Sequence, residues 1–175
     1  MKGKTTSLLC FLTLLAAGSS SALARLGETS QAIEDRYGPP LSSAVISDFT
    51  RCQYLKQSYV MTIFYKDGHS VLEIFAKRGF VQDEAGKVVS LVAAHPVDVP
   101  DATKEDEIRQ AAGITCKDVV FWTWAGSAAT VDAAFNPTEC TLAFFSDPAV
   151  YARVQQALAS DSITDSGGDE AMQRN

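Results

Sequence analysis

The chain has 175 residues, a length that suits a single domain with one sizeable core. Its 15 lysines and arginines are outnumbered by 21 aspartates and glutamates, so the formal net charge at pH 7 is −6. This acidic balance repels phosphate backbones, which argues against nucleic acid as a partner, and it gives no attraction to anionic lipid.

The first 24 residues have the parts of a secretory signal peptide. Lys2 and Lys4 precede an apolar run over residues 8–17, and an A-x-A cleavage site ends at Ala24. The run is shorter than the roughly 20 apolar residues that a membrane-spanning helix needs. We therefore expect cleavage after Ala24 and an exported protein, periplasmic or extracellular, with no transmembrane segment in the mature chain.

Residues 29–37 have the pattern of a short helix with sharp limits. Thr29 can cap its N-terminus, and Gly38 supplies a left-handed residue before two prolines stop the helix. Ile33 and Tyr37 lie one turn apart on one face. Because two helical turns are not stable alone, we expect this face to be buried against a sheet.

Strand-like segments follow, rich in β-branched and aromatic residues, over 50–56, 58–65, 69–77, 88–93, 119–124, 128–135 and 141–145. Tight turns such as Asp67-Gly68 join neighbouring segments, which indicates antiparallel pairing. A capped helix opened by Thr103 and Asp106 lies between the two groups of strands, and a helix opened by Asp147 follows the last one.

This order of elements predicts one α+β domain over residues 25–160. Its architecture is expected to be an antiparallel sheet of about five to six strands with short helices packed on one face. Residues 161–175 contain few apolar side chains, so we expect a disordered, acidic and polar tail.

The opening stretch resembles that of a known family. The shared pattern is G-x-T-x-x-x-[apolar]-x-x-x-x-G-x-P, formed here by Gly27, Thr29, Ile33, Gly38 and Pro40. It is similar to the start of the BamE/SmpA-OmlA family of small bacterial envelope proteins, and the chain is also like uncharacterised bacterial secreted proteins. The resemblance implies helices packed on a small antiparallel sheet, in a domain that works by binding other proteins.

Three cysteines follow the signal peptide: Cys52, Cys116 and Cys140. Their odd number permits at most one intramolecular disulfide in an oxidising compartment. Cys116 and Cys140 each open a predicted strand and could meet at one end of the sheet, so they are our choice among the three possible pairs. No Cys-x-x-Cys spacing occurs and both histidines are isolated, so we expect neither a metal site nor a cofactor.

Trp122 and Trp124 alternate on one face of a predicted strand. Two indoles on one face can form a binding platform for a sugar or a peptide. Their apolar neighbours favour the other interpretation, in which both indoles lie in the core beneath a helix.

The sequence contains no recognisable catalytic motif. His69 lies at a hairpin turn and His95 in a loop, and neither accompanies a nucleophile motif. Glu73 and Asp132 could form a carboxylate pair for glycoside chemistry, but strand alternation predicts that both face solvent.

The sequence therefore predicts a small exported protein that binds another envelope or secreted protein and carries out no chemistry of its own. Two alternatives stay open. One is a small secreted hydrolase, and the other is a carbohydrate-binding module that uses Trp122 and Trp124.

Overall fold

The computed structural model describes residues 26–93, 95, 97–126 and 129–166, with side chains described as far as 161. The predicted signal peptide and the last nine residues of the predicted tail lie outside this range. The helices are α1 (Ser30–Tyr37), α2 (Gln82–Val92), α3 (Ala102–Ala112) and α4 (Pro148–Ser166). The strands are β1 (Ser42–Ile46), β2 (Phe49–Lys56), β3 (Tyr59–Lys66), β4 (His69–Ala76), β5 (Val120–Ala125), β6 (Thr130–Asn136) and β7 (Thr141–Phe145).

The strands form one antiparallel sheet in the order β1-β2-β3-β4-β7-β6-β5. Strands β1 to β4 follow one another as a meander, and β5 to β7 form a second meander. The two meanders join where β4 pairs with β7, with Leu72 opposite Phe145 and Ala76 opposite Thr141. The α+β class predicted from the sequence is thus confirmed.

The finer architectural prediction is wrong, because the sheet has seven strands and helices cover both of its faces. The sequence does not predict strand β1, because its five residues, Ser42–Ile46, include two serines. Only Ile46, the last of the five, is buried. Residues 88–93, expected to be a strand, fall mostly within α2. Ala85, Val88 and Val89 are the buried residues of that helix, and their spacing is helical.

Each face of the sheet carries its own apolar cluster. We call the face beneath α1 and α2 the first face; its cluster includes Ile33 of α1, Val89 of α2 and Phe135 of β6. The second face lies beneath α3 and α4, and its cluster includes Ile108 and Val154 of those helices. Because strand side chains alternate between faces, the central strands are buried on both sides.

Helix α1 has most of the local structure predicted for it. The Thr29 side chain accepts a hydrogen bond from the backbone N–H of Ala32, and Ile33 is fully buried. Gly38 has the expected positive φ of 85°, but its ψ of −178° is extended rather than left-handed helical. Only glycine reaches that combination readily, so the sequence requirement at this position is stricter than predicted.

The residues before α1 extend the sheet beyond the end of β7. The N–H of Gly27 donates to the carbonyl of Ser70 over 2.8 Å, and the N–H of Ser70 donates to the carbonyl of Glu28 over 2.8 Å. Thr29 and His69 form an antiparallel bridge. This backbone pairing anchors α1 over the start of β4.

The later helices differ from the prediction at their ends. Asp101, rather than Thr103, caps α3 by accepting a hydrogen bond from the N–H of Lys104. Helix α4 continues through Asp161 to Ser166, into the segment predicted as tail. Among the described residues, no helix is both long enough and apolar enough to cross a membrane.

Replacing Ile33 by alanine tests whether burial holds α1 in place. Since the side chain is fully buried, Ile33→Ala should lower the free energy of unfolding by about 2–5 kcal/mol. The control Gln31→Ala, on the exposed side of the same helix, should change it by less than about 0.5 kcal/mol. Urea denaturation measures both, and equal effects of the two substitutions would contradict the docking role.

Candidate binding groove

Trp122 and Trp124 point to the first face of the sheet, as their spacing predicts, but they have different surroundings. Trp124 is 5% exposed and packs edge-on against Phe144, with 6.1 Å between ring centroids. Trp122 is only half-buried, because it lies nearer the rim of the apolar cluster. The core interpretation therefore holds for Trp124, whereas Trp122 reaches the surface.

Trp122 borders an open groove of about 810 Å³ between α2 and an extended segment, residues 97–99. One wall is the exposed side of α2, and the other is the extended segment that runs beside β5. The apolar lining comes from Val89, Leu91, Val97, Val99 and Trp122. Polar side chains from the N-terminal part of α2 complete it: Gln82, Asp83 and Lys87, with Ser90 one turn later.

Gly86 keeps the indole of Trp122 accessible from the helix side. It lies inside α2, where glycine is unfavourable relative to alanine by about 1 kcal/mol. A Cβ atom built there would lie 3.9 Å from Cζ2 of Trp122, at ordinary van der Waals distance. Packing therefore does not require glycine at this position, and its effect is to leave part of the indole uncovered.

Two aliphatic side chains project at the rim of the groove. Leu91 on α2 is 61% exposed, and Val99 on the extended segment is 70% exposed. Large side chains exposed singly need no explanation, but here they flank an accessible indole. The groove thus presents a contiguous apolar surface with polar groups along one wall.

Glu73 is not a solvent-facing residue, and the alternation argument is wrong for it. It lies on the first face of β4 and is 1% exposed. Burial raises the pKa of Glu73 to about 8, an effect that the Ser70 hydroxyl and the charge of Arg36 offset only in part. Arg36 already forms an ion pair with Glu28 over 2.7 Å, so the buried carboxyl is largely neutral at pH 7.

Asp132 is also buried, contrary to the prediction, at 4% exposed. It pairs with Phe145 and points to the second face, where burial raises the pKa of its carboxyl and a hydrogen bond with Thr123 opposes that shift. Because Glu73 faces the opposite side, the sheet itself separates the two carboxyls. They do not form the carboxylate pair of a glycosidase.

The histidines and cysteines are dispersed. His69 is exposed, and its Nδ1 atom lies 3.0 Å from the carbonyl of Asp67. Cys116 and Cys140, our predicted disulfide pair, are free thiols that pack against the second and first clusters respectively. Cys52 is a buried free thiol on the first face. In the described part of the chain, no three side chains of His, Cys, Asp or Glu gather to hold a metal ion.

Sequence reasoning singled out Trp122 but missed the residues that make its surroundings. The missed residues are Gly86, Leu91 and the extended segment 97–99. A glycine inside a helical apolar pattern is a detectable signal, but residues 88–93 were assigned to a strand and the pattern was not recognised. The extended segment has no signal of its own, since its neighbour β5 lies more than twenty residues further along the chain.

No protein-family model matches this chain, and no curated protein matches it either. Among solved structures, it is similar to a cysteine-rich secretory protein from Staphylococcus aureus subsp. aureus Mu50, with a TM-score of 0.37 and 5% sequence identity. The similarity covers 69% of this chain and 44% of that protein, so the chain spans less than half of its length. A likeness at this level bears on neither function nor partner.

The buried carboxyl of Glu73 makes stability depend on pH. Its pKa is higher in the folded protein, about 8, than the 4.5 of an unfolded chain, so the folded state holds the proton more tightly. The stabilisation that the protonated Glu73 carboxyl provides is fully present below about pH 4.5. As the pH rises from there to about 8, the free energy of unfolding falls by at most about 1.4 kcal/mol per pH unit. Glu73→Gln removes this loss.

The measurement is urea unfolding of wild type and Glu73→Gln between pH 5 and pH 8. The stability of the variant relative to wild type should rise with pH, because other titrating groups cancel in the difference. A difference that stays constant with pH would contradict the assignment.

Gly86→Ala tests whether the packing of α2 requires a glycine at this position. Since the added Cβ meets Trp122 without a clash, the substitution should raise the free energy of unfolding by about 1 kcal/mol. Gly113→Ala is the matched control: Gly113 ends α3 at a φ of 66°, so alanine there should be destabilising by about 1 kcal/mol. Destabilisation by Gly86→Ala would show that α2 needs its glycine for packing.

Proposed function

We propose that this protein is a small exported module that binds another protein through the groove around Trp122. The observation that carries the proposal is the accessible indole, left open by Gly86 and flanked by the exposed side chains of Leu91 and Val99. A half-buried tryptophan with an apolar surround and a polar rim has the composition of a protein-interaction hot spot.

Two features of the sequence support the exported and protein-binding parts of the proposal. Residues 1–24 have the regions of a signal peptide, which directs a protein out of the cytoplasm. Residues 27–40 resemble the opening of the BamE/SmpA-OmlA family, whose domains bind other proteins. The acidic net charge of −6 disfavours nucleic acid as the alternative partner.

A protein partner fits the groove better than a sugar does. The carbohydrate alternative needs Trp122 and Trp124 as a shared platform, but Trp124 is buried and leaves a single accessible indole. The remaining apolar walls are aliphatic, and such walls suit the apolar side chains of another protein. The hydrolase alternative lacks support at the groove, since neither His69 nor His95 lines it.

Site-specific crosslinking in the source organism tests this proposal. A photoreactive phenylalanine derivative replaces Ser90, an exposed residue of the groove wall, and irradiation should yield an adduct with one other protein. Leu91→Glu should lower the adduct yield at least about fivefold, because a partner must then desolvate a carboxylate. The matched control Leu41→Glu, at a similarly exposed leucine beside the opposite edge of the sheet, should leave the yield unchanged.

Two results would overturn the proposal. One is an adduct whose yield does not respond to Leu91→Glu, which would place the contact outside the groove. The other is a change in Trp122 fluorescence on adding an oligosaccharide, lost in Trp122→Phe, which would establish the carbohydrate alternative.

A further inference from the structure

The backbone beside the groove has unused hydrogen-bonding groups. Asp98 exchanges two hydrogen bonds with Thr123 of β5, each 2.9 Å long, so the segment 97–99 pairs with the β5 edge of the sheet through a single bridge. In an antiparallel pair, the residues on either side of a hydrogen-bonded residue turn their N–H and C=O groups the other way. The backbone groups of Val97 and Val99 therefore point away from β5.

Among the described residues, no backbone hydrogen bond reaches either valine from that outer side. Val99 is also 70% exposed, so this part of the segment lies at the protein surface. A row of accessible N–H and C=O groups at a sheet edge is a template for pairing with another extended chain. The next residue, Pro100, has no N–H and limits this open edge to a short length.

The side chains of the same segment face the groove. Asp98 is opposite Thr123, whose strand neighbours Trp122 and Trp124 point to the first face. Val97 and Val99 alternate with Asp98 and so share the first face with Trp122, which agrees with their place in the groove lining. The open backbone edge and the apolar groove are thus adjacent parts of one surface.

We propose that the partner bound at this surface is an extended segment of another protein, which adds to the sheet as a strand along residues 97–99. This inference rests on the proposed protein-binding function and specifies its partner. Every second side chain of the added strand then lies on the first face beside Val97 and Val99, and apolar residues suit those positions. Trp122 lies one strand further in, because segment 97–99 separates the added strand from β5.

The intervening side chains of the added strand lie on the second face, beside the exposed carboxylate of Asp98. The described residues provide no ion pair for Asp98, so lysine or arginine at those positions complements its charge. The segment recognised is therefore one in which apolar residues alternate with polar or basic ones.

Other occupants leave part of the surface unused. A helix laid in the groove would cover Trp122 but would offer no backbone groups to Val97 and Val99. A second copy of this chain carries the same net charge of −6, and like charge disfavours its docking at short range. An extended basic segment satisfies the open backbone edge, covers the exposed side chain of Val99 and complements the charge of Asp98.

A defined peptide tests the proposal on the intact exported protein. The probe is a fluorescein-labelled nonapeptide with valine at odd positions and threonine or lysine between them, and its affinity is measured by fluorescence anisotropy. The matched control peptide has the same sequence with every backbone amide N-methylated, so it keeps the charge and side chains but loses the donors. We expect the control to bind at least tenfold more weakly than the probe.

Two variants at one position separate backbone from side chain. Val99→Pro removes the outward N–H at an extended residue, whereas Val99→Ala keeps it and shortens the side chain. We expect the probe to bind Val99→Pro at least fivefold more weakly than Val99→Ala. Circular dichroism verifies that both variants keep the fold.

Three outcomes would overturn strand addition: no binding of the probe to wild type up to about 1 mM, equal binding of the N-methylated control, or self-association of the protein that Val99→Pro abolishes. The last would make a second copy the occupant.

The same peptide experiment distinguishes failure of strand addition from failure of the proposed function. If the N-methylated control binds as well as the probe and Leu91→Glu weakens both, the groove binds apolar segments without strand pairing. If the probe binds but Leu91→Glu has no effect, the edge pairs with peptides while the groove has no binding role.

Discussion

The pairing of β4 with β7 is the contact on which the rest of this structure depends. It joins two meanders that lie far apart in the chain, with Leu72 opposite Phe145. This pairing makes one continuous sheet out of the two meanders. Without it, the four-stranded and three-stranded meanders would be separate sheets, each with an additional open edge. With it, β4 becomes the central strand, and both of its faces are buried beneath helices.

The same arrangement explains why the groove is where it is. Helices α2 and α3 are consecutive in the chain but lie on opposite faces, so the residues between them must pass around an edge of the sheet. They pass around the β5 edge, and Asp98 pairs with Thr123 on the way. The groove is the space between the crossing segment and the helix that it has just left.

Local signals predicted much of the fold. The predictions of a cap at Thr29 and a buried contact at Ile33 are confirmed, since each depends on a few neighbouring residues. The left-handed conformation predicted for Gly38 is wrong in its ψ angle, although its φ is positive. Glu73 was assigned wrongly because alternation separates two faces without saying whether both are covered. In a central strand covered on both sides, a polar position is a buried position, and only the tertiary arrangement reveals it.

The candidate site was predictable in one residue only. Strand alternation predicts that Trp122 and Trp124 lie on one face. Which of the two indoles reaches the surface depends on how far each lies from the centre of the apolar cluster, and this depends on where α2 packs. The contact between Gly86 and Trp122 joins residues more than thirty positions apart. No local pattern contains that contact, so the groove could not be derived from the sequence alone.

The opposite edge of the sheet has a consequence for solubility. β1 is an edge strand with no charged residue, and Val45 is its most exposed large side chain, so it lacks the charged side chains that usually prevent sheets of separate molecules from joining. At neutral pH, electrostatic repulsion between the acidic molecules opposes this joining of sheets instead. Near the isoelectric point of about 4.8 calculated from the sequence, that repulsion vanishes and the open β1 edge is left without protection against pairing with another copy. The protein's colloidal stability therefore depends on its overall charge rather than on the design of its edge.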